Sequence, residues 1–272
     1  MSEVTTATDV APVVLVERRG RVMVVTINRP EARNAVSREV WQRLGRALEE
    51  CEHDDSLWAL VITGAGDKSF CAGADLKAIS RGERIVPDDP IEAGWGFAGY
   101  VRHPISKPTI AAVNGTALGG GTEICLASDL VVAADIAQFG LPEVKRGIYA
   151  GAGGVFRLPR QLPRKVAMEM MLTGEPIDAA RALGLGLINR VVPADQVVDV
   201  AVALAEKICE AAPLAVQASK RVALGIVDGL IAAEEGDWEL SEKEGRALMK
   251  SADAKEGPLA FAEKRAPNWQ GK

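Results

Sequence analysis

The sequence predicts an α/β fold, because short apolar runs with the length of strands alternate with glycine-bearing loops and helical segments. Residues 57–64 and 108–113 are apolar almost throughout. Each run is followed by a loop that contains glycine, then by a predicted helix and a further strand. Strands with no polar face suit a sheet that is covered on both sides.

The N-terminal part is expected to form a tail, a hairpin and a helix. Residues 1–11 have the composition of a loose tail. Two β-branched runs, 13–16 and 22–27, flank a turn that contains Gly20 and therefore predict a β-hairpin. From Ser37 onward apolar residues recur at helical spacing, and the serine hydroxyl can cap the first turn of that helix.

The middle of the chain contains three consecutive glycines followed by an acid. Residues 114–123 read NGTALGGGTE and end in Glu123. A helix is predicted to begin near Gly120 and to run to about residue 128. Glycine allows another group to approach the backbone closely, or allows backbone angles that other residues avoid. One interpretation is that the glycines serve a ligand; the other is that they let a helix pack tightly on a strand.

The C-terminal part has a different pattern. From Ala194 onward long helical runs replace the alternation of strands and helices. The predicted division is therefore a tail over 1–11, an α/β core over 12–195 and a helical region over 196–272.

Composition and charge exclude several classes of function. The chain has 272 residues and a net charge of −5, whereas binding to nucleic acid or an anionic membrane needs a concentrated cationic face. No apolar segment approaches the roughly 20 residues of a membrane span. The four cysteines form no CxxC pair, and no cationic start followed by an apolar run marks the N-terminus. We therefore expect a cytoplasmic protein that binds neither nucleic acid nor membrane.

Several common catalytic motifs are missing from the sequence. The glycine stretch lacks the lysine of a nucleotide P-loop, and residues 151–156 begin like a dinucleotide loop but end in Phe156. There is no G-x-S-x-G elbow for a nucleophilic serine. His53 and His103 are the only histidines, so a catalytic zinc site is not expected.

The glycine stretch has a possible catalytic use. A helix that begins at Gly120 presents unpaired N–H groups and the positive end of its dipole. Such a group can stabilise a carbonyl oxygen that becomes an enolate, as in an oxyanion hole. Glu123 lies one turn further along the same helix and is placed to transfer protons near that carbonyl.

A second amide and a second acid are available in other loops. The CAGAD loop, residues 71–75, exposes the N–H of Ala74, and Pro142 with Gly140 shapes a turn that carries Glu143. Two carboxylates from separate loops can share a water, and burial raises the pKa of such acids toward neutrality. From spacing alone, however, a capping or surface role for Glu143 is the better interpretation.

The chain resembles the crotonase (enoyl-CoA hydratase/isomerase) superfamily over essentially its whole length from about residue 12. Several independent motifs carry the resemblance in the right order. They are FCAGADLK at 70–77, KPTIAAVNGTALGGGTE at 107–123, FGLPEVKRGIYAGAGG at 139–154, LTGEPIDAARALGLGLINRVV at 172–192 and DAKEGPLAFAEKRAPNW at 253–269.

The resemblance implies a fold, a site and a reaction. The fold is a ClpP/crotonase-like spiral of ββα units with a C-terminal helical region that builds trimers, commonly stacked as hexamers. The amides of Ala74 and Gly120 are the implied oxyanion hole for an acyl-CoA thioester. Glu123 is the implied residue that activates water for attack at C3, and Glu143 the one that delivers a proton to C2.

The same resemblance implies contacts to coenzyme A, which is part of the substrate; no further cofactor and no metal are expected. Gly151 is also implied to start a helix that faces the site. The implied contacts are Ala32, Arg33, Ala72, Asp75, Leu76, Lys77, Gly119, Pro142 and Gly151.

The reaction implied is the reversible hydration of a trans-2-enoyl-CoA to a 3-hydroxyacyl-CoA, as in fatty acid metabolism. Two positions depart from the common family pattern, Leu141 for glutamine and Ala150 for proline. The first departure and the C-terminal motif also resemble carnitinyl-CoA (crotonobetainyl-CoA) dehydratases, so a specialised hydro-lyase is the alternative. Thioester hydrolysis and a non-catalytic binding role on the same fold are alternatives of a different class.

Overall fold

The computed structural model describes residues 11–272. The predicted tail over 1–11 therefore lies outside the described residues, except for Ala11. The strands are β1 Val14–Arg19, β2 Val22–Ile27, β3 Ala59–Gly64, β4 Ser69–Cys71, β5 Thr109–Val113, β6 Thr116–Leu118, β7 Leu130–Ala134, β8 Gln138–Gly140, β9 Ile177–Asp178, β10 Arg190–Val192, β11 Ile226–Val227 and β12 Leu230–Ile231. The helices are α1 Arg38–His53, α2 Leu76–Ser80, α3 Pro90–Gly94, α4 Gly120–Ala127, α5 Gly154–Gln161, α6 Arg164–Thr173, α7 Ala179–Gly184, α8 Val197–Ile208, α9 Pro213–Leu224, α10 Glu235–Leu248 and α11 Ala252–Ala262.

The N-terminal hairpin and first helix form as the sequence predicts. Strands β1 and β2 pair antiparallel, with Val14 opposite Ile27, and Gly20 in the turn has a positive φ of 59°. Helix α1 begins directly after Ser37, whose hydroxyl oxygen accepts a hydrogen bond from the amide of Val40 at 3.3 Å. Both predictions are confirmed, although β1 extends three residues further than expected.

The core contains two sheets, and the chain adds strands to them alternately. The larger has the strand order β1-β2-β3-β5-β7-β10, and the smaller has the order β4-β6-β8-β9. Each turn of the chain adds one strand to each sheet, since β3 and β4, β5 and β6, and β7 and β8 are consecutive pairs. The neighbours β3, β5 and β7 are parallel, as are β4, β6 and β8. This arrangement is a spiral of ββα units, and the predicted fold class is confirmed.

Helices cover the larger sheet and close the core. Helix α1 packs against β1, β2 and β3, whereas α8 packs against β2, β3, β5 and β7. Strands β3 and β5 are buried at every residue, as expected for a sheet with covered faces. Helix α8 contributes Val197 and Ala201 to the hydrophobic core although it lies beyond residue 195. The division of the chain at that residue stays a prediction.

In residues 11–272, no helix is both long and apolar enough to cross a bilayer.

Candidate active site

The loop after β4 presents the amide of Ala74. The segment forms a parallel bridge to Val36, whose N–H donates to Gly73 at 2.8 Å and whose carbonyl accepts from Asp75 at 3.0 Å. In a parallel bridge the residue between these two bonds directs its own N–H to the opposite side. Within residues 11–272 the Ala74 amide accordingly has no hydrogen-bond acceptor.

The second amide lies at the start of α4, close to that loop. Helix α4 begins at Gly120, so its N–H is the first of the unpaired amides of the helix; no described residue accepts a hydrogen bond from it. A Cβ placed on Gly73 would lie 3.2 Å from this nitrogen. The structure thus brings the two predicted donors together from separate turns of the spiral.

A Cβ on each of the three consecutive glycines would meet a different neighbour. Gly119 has a φ of +56°, and a Cβ there would lie 2.8 Å from a carboxylate oxygen of Glu143. A Cβ on Gly120 would lie 2.2 Å from the ring of Phe97, and one on Gly121 would lie 2.1 Å from the backbone oxygen of Cys71. All three contacts are made with the protein itself, so close packing accounts for the glycines, and it does not exclude a use of the Gly120 amide, which has no acceptor among the described residues.

Glu123 is buried in the first turn of α4, as predicted from its spacing to Gly120. Its side chain accepts a hydrogen bond from the amide of Gly154, the first residue of α5, at 2.9 Å. Burial raises the pKa of this carboxyl well above the ordinary 4.5, whereas the Gly154 amide and the positive charge of Arg157 act in the opposite direction. The N-terminus of α5 thus favours the ionised form of Glu123.

Glu143 lies in the short 3-10 turn Pro142–Arg146, beside Gly119. Its Oε2 atom is inaccessible to solvent and has no hydrogen-bond partner among the described residues. Burial raises the pKa of Glu143, and the nearby Glu123 carboxylate raises it further. Both acids consequently border the loop that carries the Gly120 amide, and burial beside each other disfavours the ionisation of both at once.

One expectation about this region is wrong. Gly151 was expected to start a helix facing the site, but α5 begins three residues later, and Gly151 is an exposed residue in the preceding turn. The backbone needs the left-handed Gly153, at φ +105°, to turn into the helix. The amide that meets Glu123 is therefore that of Gly154. The pair Gly153–Gly154 at the end of GAGG was the available signal for this helix start.

Phe97 lies beside the start of α4. Its ring lies against Gly120 and packs edge-to-face on Trp41, with centroids 5.8 Å apart. Ala98, which follows it, has a left-handed φ of +62°, a strained conformation for a residue with a side chain. The nearby Trp95 is buried. Phe97 thus borders the Gly120 amide, whereas Trp95 belongs to the core.

Some of the residues expected to contact coenzyme A lie on the loops beside Ala74, and others are engaged in contacts within the fold. The amide of Ala72 donates to the carbonyl of Arg33 at 3.1 Å, so the loop that contains Ala32 and Arg33 lies beside the loop that contains Ala74. Lys77, in the first turn of α2, is exposed.

Asp75, by contrast, is engaged within the fold. It accepts from the amide of Ala78 at 3.0 Å, which caps α2, and pairs with Arg29 at 2.9 Å. Gly119 and Pro142 lie beside Glu143. Leu76 begins α2, next to Lys77.

Known proteins are similar to this chain over almost its whole length. Residues 17–272 match the family described as Enoyl-CoA hydratase/isomerase. The chain belongs to this family. A relative named carnitinyl-CoA dehydratase, from Proteus mirabilis (strain HI4320), is 43% identical over 267 residues, covering 93% of this chain and 97% of that protein.

Solved structures of the enoyl-CoA hydratase/isomerase family agree with the fold. A carnitinyl-CoA hydratase from Mycobacterium avium is 63% identical, with a TM-score of 0.94 over 97% of this chain and 100% of that one. An enoyl-CoA hydratase from Mycobacterium tuberculosis H37Rv is 44% identical, with a TM-score of 0.74 over 96% of this chain and 100% of that one. The predictions of a crotonase-family enzyme and of a hydro-lyase are confirmed.

Proposed function

We propose that this chain catalyses the reversible addition of water to the C2–C3 double bond of an enoyl-CoA, with the amides of Ala74 and Gly120 holding the thioester oxygen. The observation that carries the proposal is the pair of amides without an acceptor beside two buried acids. Negative charge that develops on a thioester oxygen is stabilised by such preorganised donors, typically by about 3–4 kcal/mol for each donor.

The different surroundings of the two acids support their assignment to different roles. Glu123, which accepts from Gly154, is the base that removes a proton from water as the oxygen attacks C3. Glu143, which has no donor on Oε2, is the acid that gives its proton to C2. Water is thereby split between C3 and C2, and transfer of a proton from Glu123 to Glu143 restores the starting state. Dehydration follows the same steps in reverse.

The residues on the loops around Ala74 are proposed to hold coenzyme A, which is part of the substrate. Ala32, Arg33 and Ala72 lie on adjoining loops, and Lys77 offers an exposed cation for a phosphate. Binding energy from this remote handle can hold the acyl group in the reactive geometry. The carboxylate of Asp75, which caps α2, supports that loop instead of contacting the substrate.

Among enoyl-CoA substrates, crotonobetainyl-CoA and its hydrated form carnitinyl-CoA are favoured. The support is the similarity to proteins named carnitinyl-CoA hydratase and carnitinyl-CoA dehydratase, at 63% and 43% identity. A straight-chain enoyl-CoA is the second candidate, supported by the similarity to a protein named enoyl-CoA hydratase at 44% identity. The same acids serve either substrate.

A substrate panel tests this proposal. We expect crotonobetainyl-CoA to be hydrated faster than crotonyl-CoA, a long-chain enoyl-CoA or a bulky ring-bearing enoyl-CoA, with loss of the conjugated enoyl absorbance and no release of free thiol. Thiol release at the same rate as the absorbance change would instead assign thioester hydrolysis. No turnover with any member of the panel would support a binding role and contradict the proposal.

We further propose a homotrimer, or a dimer of trimers, assembled through the C-terminal helices, in the cytoplasm. Large apolar side chains on α9 and α10 are exposed in the single chain, Leu214 and Val222 among them at 75% and 84%. Apolar surface of this extent is typical of an interface between subunits. The four cysteines are free thiols, which suits a reducing compartment.

A further inference from the structure

The segment that leads into α5 is held by the C-terminal helix α10. The hydroxyl of Tyr149 donates to the backbone oxygen of Ser241. The rings of Phe156 and Trp238 pack edge-to-face with centroids 4.8 Å apart and an angle of 83° between their planes. These contacts flank Gly154 on both sides along the chain. A helix of the C-terminal region therefore supports the turn whose amide binds Glu123.

A buried ion pair forms the third contact between these parts. Arg157 binds Glu234 through two parallel hydrogen bonds, of 2.9 and 2.7 Å. The two residues are only 6% and 7% exposed. Glu234 directly precedes α10, and Arg157 lies in the first turn of α5, three residues after Gly154.

Stability alone does not account for a charged pair in this place. Burial of two charges carries a large desolvation cost, and well-packed apolar residues of similar volume are often equally or more stabilising. The Nη1 atom of Arg157 is buried without a hydrogen-bond partner among the described residues, which adds to this cost. Arg157 lies in the same helical turn as the Gly154 amide that Glu123 accepts from, so its positive charge acts with that amide, against the larger effect of burial, to favour the ionised form of Glu123.

We propose that Arg157 and Glu234 are a positioning pair for Glu123. The pair holds the first turn of α5 so that the Gly154 amide meets the Glu123 carboxylate, and its balance of charge sets how readily that carboxylate carries a proton. The inference rests on the proposed role of Glu123 as the base of the reaction.

The elements packed on α4 bring few other charges toward Glu123. Helix α5 provides Arg157, and the 3-10 turn provides Glu143. Helix α5 also carries Arg160, which pairs with Asp237. Strand β6 and the turn Phe97–Gly99 contain no titratable side chain. Strand β4 contains Cys71, whose pKa is raised to about 12 by burial, so this thiol stays neutral. A change in the acid limb of the pH–rate profile therefore reports on the pair and on Glu143.

Replacement of Glu234 alone and of Arg157 alone is expected to shift the acid limb of the pH–rate profile in opposite directions. Glu234→Gln leaves the Arg157 cation less compensated, so ionisation of Glu123 becomes easier and the limb of kcat moves to lower pH. Arg157→Met removes the cation, so the limb moves to higher pH. We expect shifts of at least about 0.5 pH unit in each direction and a fall in kcat with little change in KM, measured with the best substrate of the panel.

Two further variants distinguish an effect of the ion pair on Glu123 from an effect on the stability of the fold. Arg157→Met/Glu234→Leu replaces the pair by apolar groups, and we expect its thermal stability to recover while kcat stays below that of the wild type. Asp237→Asn breaks the more exposed ion pair to Arg160, between the same two helices, and is expected to change neither the limb nor kcat.

The outcomes distinguish this inference from the proposed function. If both single variants leave the limb in place or shift it in the same direction, or if the double variant has the wild-type kcat and limb, the positioning role is overturned. Glu123→Gln tests the function itself. If that variant retains wild-type turnover, the role of Glu123 as base fails, whereas a dead Glu123→Gln with silent pair variants overturns only the positioning role.

Discussion

At the scale of single residues, the local surroundings make two chemically identical side chains different. Glu123 and Glu143 are both buried, and burial raises the pKa of each. The first accepts a hydrogen bond from a helix N-terminus, whereas the second has a buried oxygen without a donor. Such a difference separates a base from an acid within one site.

Replacement of Glu143 tests its role in proton transfer. Glu143→Gln keeps the size of the side chain but cannot give a proton to C2, so we expect kcat to fall by ~10²–10⁴-fold. Binding of a CoA thioester, measured by calorimetry, is expected to change little. Near-normal turnover of this variant would show that the proton comes from elsewhere.

The pH dependence of activity follows from the same pair. The base must be ionised and the acid protonated, and both pKa values lie above the ordinary 4.5. We therefore expect a bell-shaped profile of kcat whose two limbs both lie above pH 4.5 and report the titration of the coupled pair. An acid limb at or below the ordinary carboxyl pKa in steady-state measurements would contradict the burial of the base.

Because the pKa of Glu143 is raised on folding, this residue should make the folded protein less stable as pH rises. A carboxylate in a salt bridge has the opposite effect. A carboxyl whose pKa is raised on folding adds stability below its unfolded pKa and loses it as pH rises through the folded value. Glu143→Gln stays neutral, so its Tm should rise relative to the wild type as pH increases from about 4.5 to about 8. Calorimetric scans across this range measure the difference; a difference that is constant with pH would argue against a raised pKa.

At the scale of elements, the start of α4 depends on what surrounds each glycine. Gly120 faces the side chain of Phe97, which can move, whereas Gly121 faces a backbone oxygen of β4, which cannot move without displacing the strand. The first residue of α4 thus packs against the ring of Phe97, and the second packs against the backbone of β4 in the core. Close packing of this kind makes an added methyl group costly.

Alanine substitutions at these positions are expected to have different effects. Gly121→Ala should lower the free energy of unfolding by ~1–3 kcal/mol, because its Cβ overpacks against β4. Gly120→Ala should reduce kcat more than stability, because the ring of Phe97 is displaced beside the oxyanion amide. Urea unfolding and steady-state kinetics of both variants measure this.

The double variant Gly120→Ala/Phe97→Ala supplies the control. It removes the ring that the new methyl group meets, so part of the lost kcat is expected to return. Equal losses of stability and activity at both glycines would contradict the distinction between the two contacts.

At the scale of the whole molecule, the C-terminal helices both contact the core and carry exposed apolar side chains. Glu234, the residue before α10, binds Arg157 in the first turn of α5, the helix whose first amide meets Glu123. Helices α9 and α10 also expose large apolar side chains, including Val222 and Leu240. Assembly through this surface would bury it.

Light scattering after size-exclusion chromatography tests the assembly. We expect the mass of a trimer or of a hexamer at micromolar concentration, and we expect Val222→Glu to reduce that mass, because a charge at a buried apolar contact is costly. Lys255→Glu, at an exposed position of α11, provides a charged control that should leave the mass unchanged. A monomeric wild-type chain would overturn the proposed assembly.

Local sequence patterns determined much of the fold. The hairpin, α1, the buried strands and the start of α4 follow from periodicity, capping and glycine placement, all of which act between residues close in the chain. The same local reasoning placed Glu123 one turn after Gly120. It did not place Glu143, whose role came from the resemblance to a family.

Tertiary structure decided the contacts that complete the site. Glu143 meets Gly119, Gly154 meets Glu123, and Arg157 meets Glu234 across 77 residues of chain. No periodicity specifies these pairs, because they depend on how the turns of the spiral and the C-terminal helices pack together. The sequence by itself determined which elements form and which groups they carry; packing decided which acid is desolvated, which amide meets it and which charge lies behind it.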